Sequence, residues 1–393
     1  MLKAVDTLVQ TLAQQMGNQL EAVYLFGSLA QGHYVPGESD INLFVIVRNS
    51  ADFPALQQAF FPLWWQYQHE LKRAPFMGTK GAFLRHLRLN PLLAQQLVRD
   101  AQQLIGPPEY LDRRVATIEP HEAYAYLVTE TMQASAALAP ELLAADTAVT
   151  TLSRLRRLAR RLRQEPLPEG ETAVQSFARI QHFLNPIIAS LPAARKVAGV
   201  VPKNTTTPLL PGLQTIYKEG NKTVLVFTEL SPQKIIQTDW SKLASRLPAG
   251  TTGLELTTVE QMSLSIMFER PLDLRFKKLQ HTWGPNFLAA FNPTTRQIMR
   301  YSARVPSRIL IDELPNVYLT QEPSEEVQHK IIHDFQNKML NVQLEHELLV
   351  RYGLVERFKP PSPVPGRETP APQRIAALFQ HLEWWADFYA RQL

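Results

Sequence analysis

The chain has 393 residues, 45% of them hydrophobic, which is enough to bury the cores of two or three domains. It contains no cysteine, which excludes disulfides, thiolate metal sites and a cysteine nucleophile and suits a cytoplasmic location. Lys plus Arg number 41 against 36 Asp plus Glu, a formal net charge of +5, so nucleic acid is a permitted partner and not an implied one.

Residues Leu2 to Met16 carry apolar side chains at 5, 8, 9, 12 and 16, the spacing of an amphipathic helix and not of a secretory segment. Ala22 to Phe26 is an apolar run ending in Gly27-Ser28. A polar loop with glycines follows, and Asp40-Ile41-Asn42 opens a second apolar run to Val47. This reads as strand, turn, strand. Asp52-Phe53-Pro54 starts a helix to about Leu71, within which Trp64 and Trp65 are expected to pack in the core. A short strand over Ala74 to Met77 and two helices, Thr79 to Leu89 and Pro91 to Leu104, complete an α/β arrangement around a small sheet, closed by Gly106-Pro107-Pro108.

From Pro120 to Leu191 the periodicity is helical throughout, with one face at Tyr124, Leu127, Val128, Thr131 and Met132, another at Leu152, Leu155, Leu158, Ala159 and Leu162, and a third helix over Ala173 to Leu191. A helical bundle is expected. Val201 to Pro208 reads as a linker.

The second half follows a similar order. Leu213 to Tyr217 and Thr223 to Thr228 flank the turn Glu219-Gly220-Asn221; Asp239 to Leu247 is helical, Gly253 to Thr257 a strand, and Thr257-Thr258-Val259-Glu260 a capping box. Asn90-Pro91-Leu92 leading to Gly106-Pro107-Pro108 is matched by Arg270-Pro271-Leu272 leading to Gly284-Pro285-Asn286. The expected organisation is an α/β domain over 1–115, a helical bundle over 116–198, a linker over 199–211, a second, degenerate α/β domain over 212–315 and a second helical domain over 316–393. That is a tandem duplication. No apolar run approaches membrane-spanning length, so no membrane partner is expected.

Glu21 to Val47 carries the chemistry. Gly27 lets the backbone approach a phosphate and Ser28 adds a hydroxyl, while residues 40 and 42 share one face of a strand. Two carboxylates placed there would bridge two metal ions. Gly27-Ser28 followed by Asp40-Ile41-Asn42 resembles the signature of the nucleotidyltransferase superfamily, which includes kanamycin nucleotidyltransferase, the minimal nucleotidyltransferases and the polymerase-beta-like enzymes. The resemblance covers residues 20 to 50 and extends in element order through 111, with the helical region to 191 similar to the companion domain. It implies a nucleoside triphosphate held by Gly27, Ser28 and Asn42, magnesium at Asp40, and transfer of a nucleotidyl group to a hydroxyl, with Asp40 catalytic.

The sequence departs from that pattern in two ways. The second position of the pair is Asn42, which is neutral, and the strand expected to bring a third carboxylate, Lys72 to Met77, has no acid, leaving Glu70 just before it. The expected function is therefore that of a pseudoenzyme: a nucleotidyltransferase-fold protein with an eroded magnesium site that binds a nucleotide, an anion or a macromolecular partner without efficient transfer. One alternative is an active magnesium-dependent nucleotidyltransferase acting on a small molecule, protein or RNA, with Asn42 and Glu70 assisting Asp40. A second alternative is a basic nucleic-acid or protein-binding scaffold. Its carrier is the stretch 154–163, whose six arginines, Arg154, Arg157, Arg160 and Arg161 among them, either contact nucleic acid or an acidic protein or form a solvated helix face. His33 reads as a loop histidine. A duplicated chain is expected as a monomeric pseudo-dimer or a homodimer.

Overall fold

Two runs of apolar residues dominate the first sheet. β1 (Leu20–Phe26) and β2 (Asn42–Val47) are buried along almost their whole length, as strands covered on both faces must be. They pair antiparallel, from Leu20 opposite Val47 to Phe26 opposite Asn42. β3 (Phe76–Thr79) adds parallel to β2, and β4 (Gln102–Ile105) adds antiparallel to the other side of β1, giving the order β3-β2-β1-β4. The computed structural model describes residues 3–37, 39–106, 111, 120–136, 171–190, 210–238, 240, 247, 251, 253–275 and 278–393. It is mixed α/β, with two small mixed sheets.

The chain divides into two compact units, one made of Met1–Ile118 with Met299–Leu393 and the other of Glu119–Ile298. In the first, α1 (Lys3–Met16) buries Val5, Leu8, Leu12 and Met16 and packs on α2 (Phe53–Leu71). A short 3-10 turn, Ser50–Asp52, leads into α2, where Asn49 N donates to Asp52 Oδ2 at 2.9 Å and Pro54 sits in the first turn. The buried stripe of α2 is Phe53, Leu56, Phe60, Leu63, Tyr67 and Leu71, so Trp65 falls outside it and is 69% exposed. The core placement expected for Trp65 is thus corrected by helix phase. The expected helix through Leu104 is also corrected: after α3 (Lys80–Leu89), α4 (Pro91–Asp100) ends at Asp100 and β4 follows.

The rest of the first unit comes from the end of the chain. α10 (Thr295–Arg308), a π-helical turn at Ile309–Glu313 and α11 (Leu314–Tyr318) lead to the long α12 (Glu325–Arg351) and to α13 (Ala371–Ala390). Gly78 of β3 lies so near the π turn that an added Cβ would fall 2.4 Å from Ile311 Cδ1. Gln57 is buried and spans two segments, donating to Tyr318 O at 2.7 Å and accepting from Gln328 at 3.0 Å. Phe53 and Phe379 lie 3.9 Å apart between ring centroids.

In the second unit β5 (Leu213–Glu219), β6 (Lys222–Phe227), β7 (Gly253–Thr258) and β8 (Gln280–Trp283) take the order β7-β6-β5-β8 with the same senses of pairing as the first sheet. Irregularities also match: Leu20/Ala22 corresponds to Leu213/Thr215, and Val23/Tyr24 to Ile216/Tyr217. Thr79 caps α3 and Thr258 caps α8 (Val259–Leu264), each accepting from the backbone three residues on. The expected capping box is therefore displaced by one residue, to Thr258 and Gln261. α7 (Pro232–Gln237) follows β6, and α9 (Pro271–Arg275) precedes β8.

α5 (Pro120–Ala136) and α6 (Ala173–Ser190) belong to this unit. Ser135 Oγ accepts from Leu256 N at 2.9 Å, Thr129 donates to Ser265 at 2.9 Å, and Gln261 donates to Gln181 at 2.5 Å. The helix expected around Leu152 to Leu162, most of the one expected over Asp239 to Leu247, and most of the linker lie outside the described residues. Among the described residues no helix is long and apolar enough to cross a membrane.

Candidate functional site

Antiparallel pairing brings the end of β1 against the start of β2. Gly27 follows β1 with φ +82°, a conformation costly to any residue with a Cβ. A Cβ there would also lie 3.1 Å from Asn42 Nδ2. The chain then coils tightly: Gln31 N donates to Gly27 O at 3.1 Å, Gly32 N to Leu29 O at 3.2 Å, and His33 N to Ser28 O at 2.8 Å. Two side-chain bonds hold the coil against the α4–β4 corner, Gln31 Nε2 to Asp100 Oδ2 at 2.5 Å and Gln102 Nε2 to Ala30 O at 3.0 Å. The Arg99 hydrogen bond, and with it Gln31, keeps the Asp100 carboxyl below its ordinary range.

Asp40 and Asn42 are both partly buried. Asn42 Nδ2 donates to Asp40 Oδ1 at 3.0 Å. Ile41 N is held by Glu70 O at 3.0 Å, which fixes the entry to β2 against the end of α2, and Lys72 reaches back to Gly37 O at 2.7 Å. Tyr34 lies close enough to both acids that its phenol is raised above its ordinary pKa, by partial burial first and then by Glu70 and Asp40. The turn, the loop and the polar start of β2 therefore meet, with Gly27, Asp40 and Asn42 brought together.

The third strand contributes no acid. Register places Phe76 beside Phe44, and Arg73 lies over the Phe76 ring, 4.2 Å from its centroid, while pairing with Asp312. Among the described residues no three His, Cys, Asp or Glu side chains form a group suited to a metal ion. A two-metal centre needs bridging carboxylates, whereas here the second side chain is an amide whose N–H points at the first. The residues present do not fit it. Arg154, Arg157, Arg160 and Arg161 lie outside the described residues.

The corresponding corner of the second sheet holds a charge cluster that the sequence reading missed. Counting along matched strands, the places of Phe26, Asn42 and Phe76 are taken by Glu219, Lys222 and Glu255. Lys222 pairs with Glu219 at 2.7 Å and Glu255 at 2.8 Å. Arg270 contacts Glu219 at 2.7 Å, Glu255 at 3.1 Å and Asp273 at 2.5 Å. Glu255 is 0% exposed, so its charge is tolerable only because two cations face it. Burial raises the Glu219 carboxyl, but Arg270 and Lys222 outweigh that and hold it below its ordinary range. The one signal in the sequence was Arg270, in the segment matched to Asn90-Pro91-Leu92.

Comparisons with protein-family models, with curated proteins and with solved structures return no match.

Proposed function

We propose that the chain is a tandem duplication of a nucleotidyltransferase-like unit whose first α/β half keeps a nucleotide- or anion-binding corner but does not carry out efficient nucleotidyl transfer. Matched strand order, matched irregularities and matched threonine caps support the duplication. The hydrogen bond from Asn42 to Asp40 carries the loss of transfer: it satisfies the remaining carboxylate internally, and an amide cannot supply the missing charge of a metal bridge.

Binding is supported by the coil after Gly27. Its first amides, those of Ser28, Leu29 and Ala30, have no acceptor among the described residues, while later ones are used within the coil. Backbone donors in such a turn suit an anion. In the second half Lys222 and Arg270 stand among the acids where metal would be needed, so that half has a structural role on this reading.

The test uses the full chain with labelled nucleoside triphosphates, magnesium and candidate hydroxyl acceptors, beside calorimetry. The expected result is nucleotide binding that is indifferent to magnesium, with no label incorporated. Incorporation by the wild type that disappears in Asp40→Ala would establish an active transferase instead.

A further inference from the structure

We infer that the groove between α12 and the loop before α13 is a binding site for a small organic molecule bearing two or more phosphoryl groups. It is separate from the corner at Asp40, and it does not depend on the function proposed there. The groove encloses about 540 Å³ and is lined by His329, Lys330, His333, Gln336, Arg367 and Arg374 together with Val364, Pro365 and Gly366. That volume falls in the range of small-molecule sites and exceeds what a lone phosphate fills.

Arg374 is the central observation. It is only 4% exposed, yet no carboxylate pairs with it among the described residues. Its Nε donates to Pro365 O at 3.1 Å and its Nη1 to His329 Nδ1 at 2.7 Å, which leaves Nη2 without an acceptor among the described residues, on a residue that lines the groove. A buried guanidinium facing neutral acceptors is costly unless an anion joins it. Arg374 also lies in the first turn of α13, where the helix dipole disfavours a cation and favours an anion.

Lys330 and Arg367 add two more permanent charges, and no acid lines the groove. Two acids stand nearby, Glu325, 3.5 Å from His329 Nε2, and Glu368, whose carboxylate lies beside Gly366, and the three cations outnumber them. Three cations exceed what one carboxylate requires and match the charge of a diphosphate. Val364 and Pro365 offer an apolar wall to the remainder of the molecule.

The groove is also preformed. Phe358 N donates to His346 Nε2 at 2.8 Å, Ser362 O meets His381 Nδ1 at 3.2 Å, and Pro365 O is held by Arg374, so the loop is pinned to both helices at three places. Little ordering is left for the ligand to impose.

Calorimetry on the full chain with inorganic pyrophosphate as probe, and malonate as a dianionic dicarboxylate for comparison, tests the assignment. Pyrophosphate is expected to bind, and to lose about tenfold or more in affinity in each of Lys330→Ala and Arg367→Ala. Both lost side chains are exposed, so these variants fold; Arg374→Gln, which also breaks the loop tether, serves as a third variant. Absence of pyrophosphate binding, binding unaffected by Lys330→Ala and Arg367→Ala, or malonate binding as tight as pyrophosphate would each overturn it.

Discussion

Gly106 and Gly284 occupy matching places at the ends of β4 and β8, each with a positive φ, 98° and 81°, and each pressed against the carbonyl of a residue in the central strand. A Cβ at Gly106 would fall 2.5 Å from Glu21 O, and one at Gly284 would fall 2.2 Å from Gln214 O. Both conformation and space exclude a side chain. Gly106→Ala and Gly284→Ala are each expected to destabilise by about 2 kcal/mol or more in urea unfolding. Gly220→Ala, also at positive φ but with open space around it, should cost only about 1 kcal/mol. Equal costs at the three positions would show that close approach contributes nothing.

The cluster around Arg270 makes a second prediction. Arg270→Met leaves Glu255 and Asp273 buried with their main partner gone, and a loss of about 3–5 kcal/mol is expected from thermal or urea unfolding. Adding Glu255→Gln to that variant should recover part of it, because one uncompensated charge is removed. Glu219 titrates below its ordinary value in the fold, so its contribution is present above the unfolded pKa and disappears as the pH falls through the folded one. Arg270→Met should flatten that acid limb.

His86 predicts a different acid response. It is buried, with Nδ1 3.0 Å from Ser307 Oγ; burial first, then the charges of Arg304 and Arg308, push it down to about 3 from an ordinary 6.5. Between those values the unfolded chain binds a proton that the folded chain refuses. Stability should therefore fall with pH through that window by up to about 1.4 kcal/mol per unit, and be untouched by this residue above pH 6.5. His86→Gln should remove the slope, as read from urea midpoints at pH 7.5 and 5. A slope unchanged in that variant would assign the acid loss to other groups.

Asn42→Asp places a second carboxylate beside Asp40. Without metal it should destabilise by about 1–2 kcal/mol, since a hydrogen bond becomes a repulsion. Millimolar magnesium should then raise the melting temperature of the variant and leave the wild type where it was. An equal rise in both would mean that the wild-type corner already holds the ion.

The strands most legible in the sequence are the buried ones. β1, β2, β5 and β6 are apolar runs bounded by turns, and they appear within a few residues of where periodicity puts them. β4 and β8 were invisible because each is a four-residue edge strand, largely exposed, formed only by pairing with a strand distant in sequence, as Val23 with Ile105. The helical spacing of α4 simply ran on across β4. The corner at Gly27, Asp40 and Asn42 was legible since a strand, a turn and a strand bring those residues together locally. The Arg270 cluster was not, because its acids and cations arrive from β5, β6, β7 and the start of α9. Periodicity likewise marks which face of α13 is buried, but not that Phe379 on it meets Phe53.

The grouping of Met1–Ile118 with Met299–Leu393 imposes an order on biosynthesis. Glu119–Ile298 leaves the ribosome as one continuous piece, complete before the chain is finished. The first sheet emerges earliest and is completed last: until the final segment arrives, Gly78 lacks Ile311, Gln57 lacks the Tyr318 carbonyl and Phe53 lacks Phe379. At elongation rates of about 5–20 residues per second, residues 119–393 take roughly 14–55 s to make. For that interval the nascent sheet lacks the contacts that cover it in the finished unit.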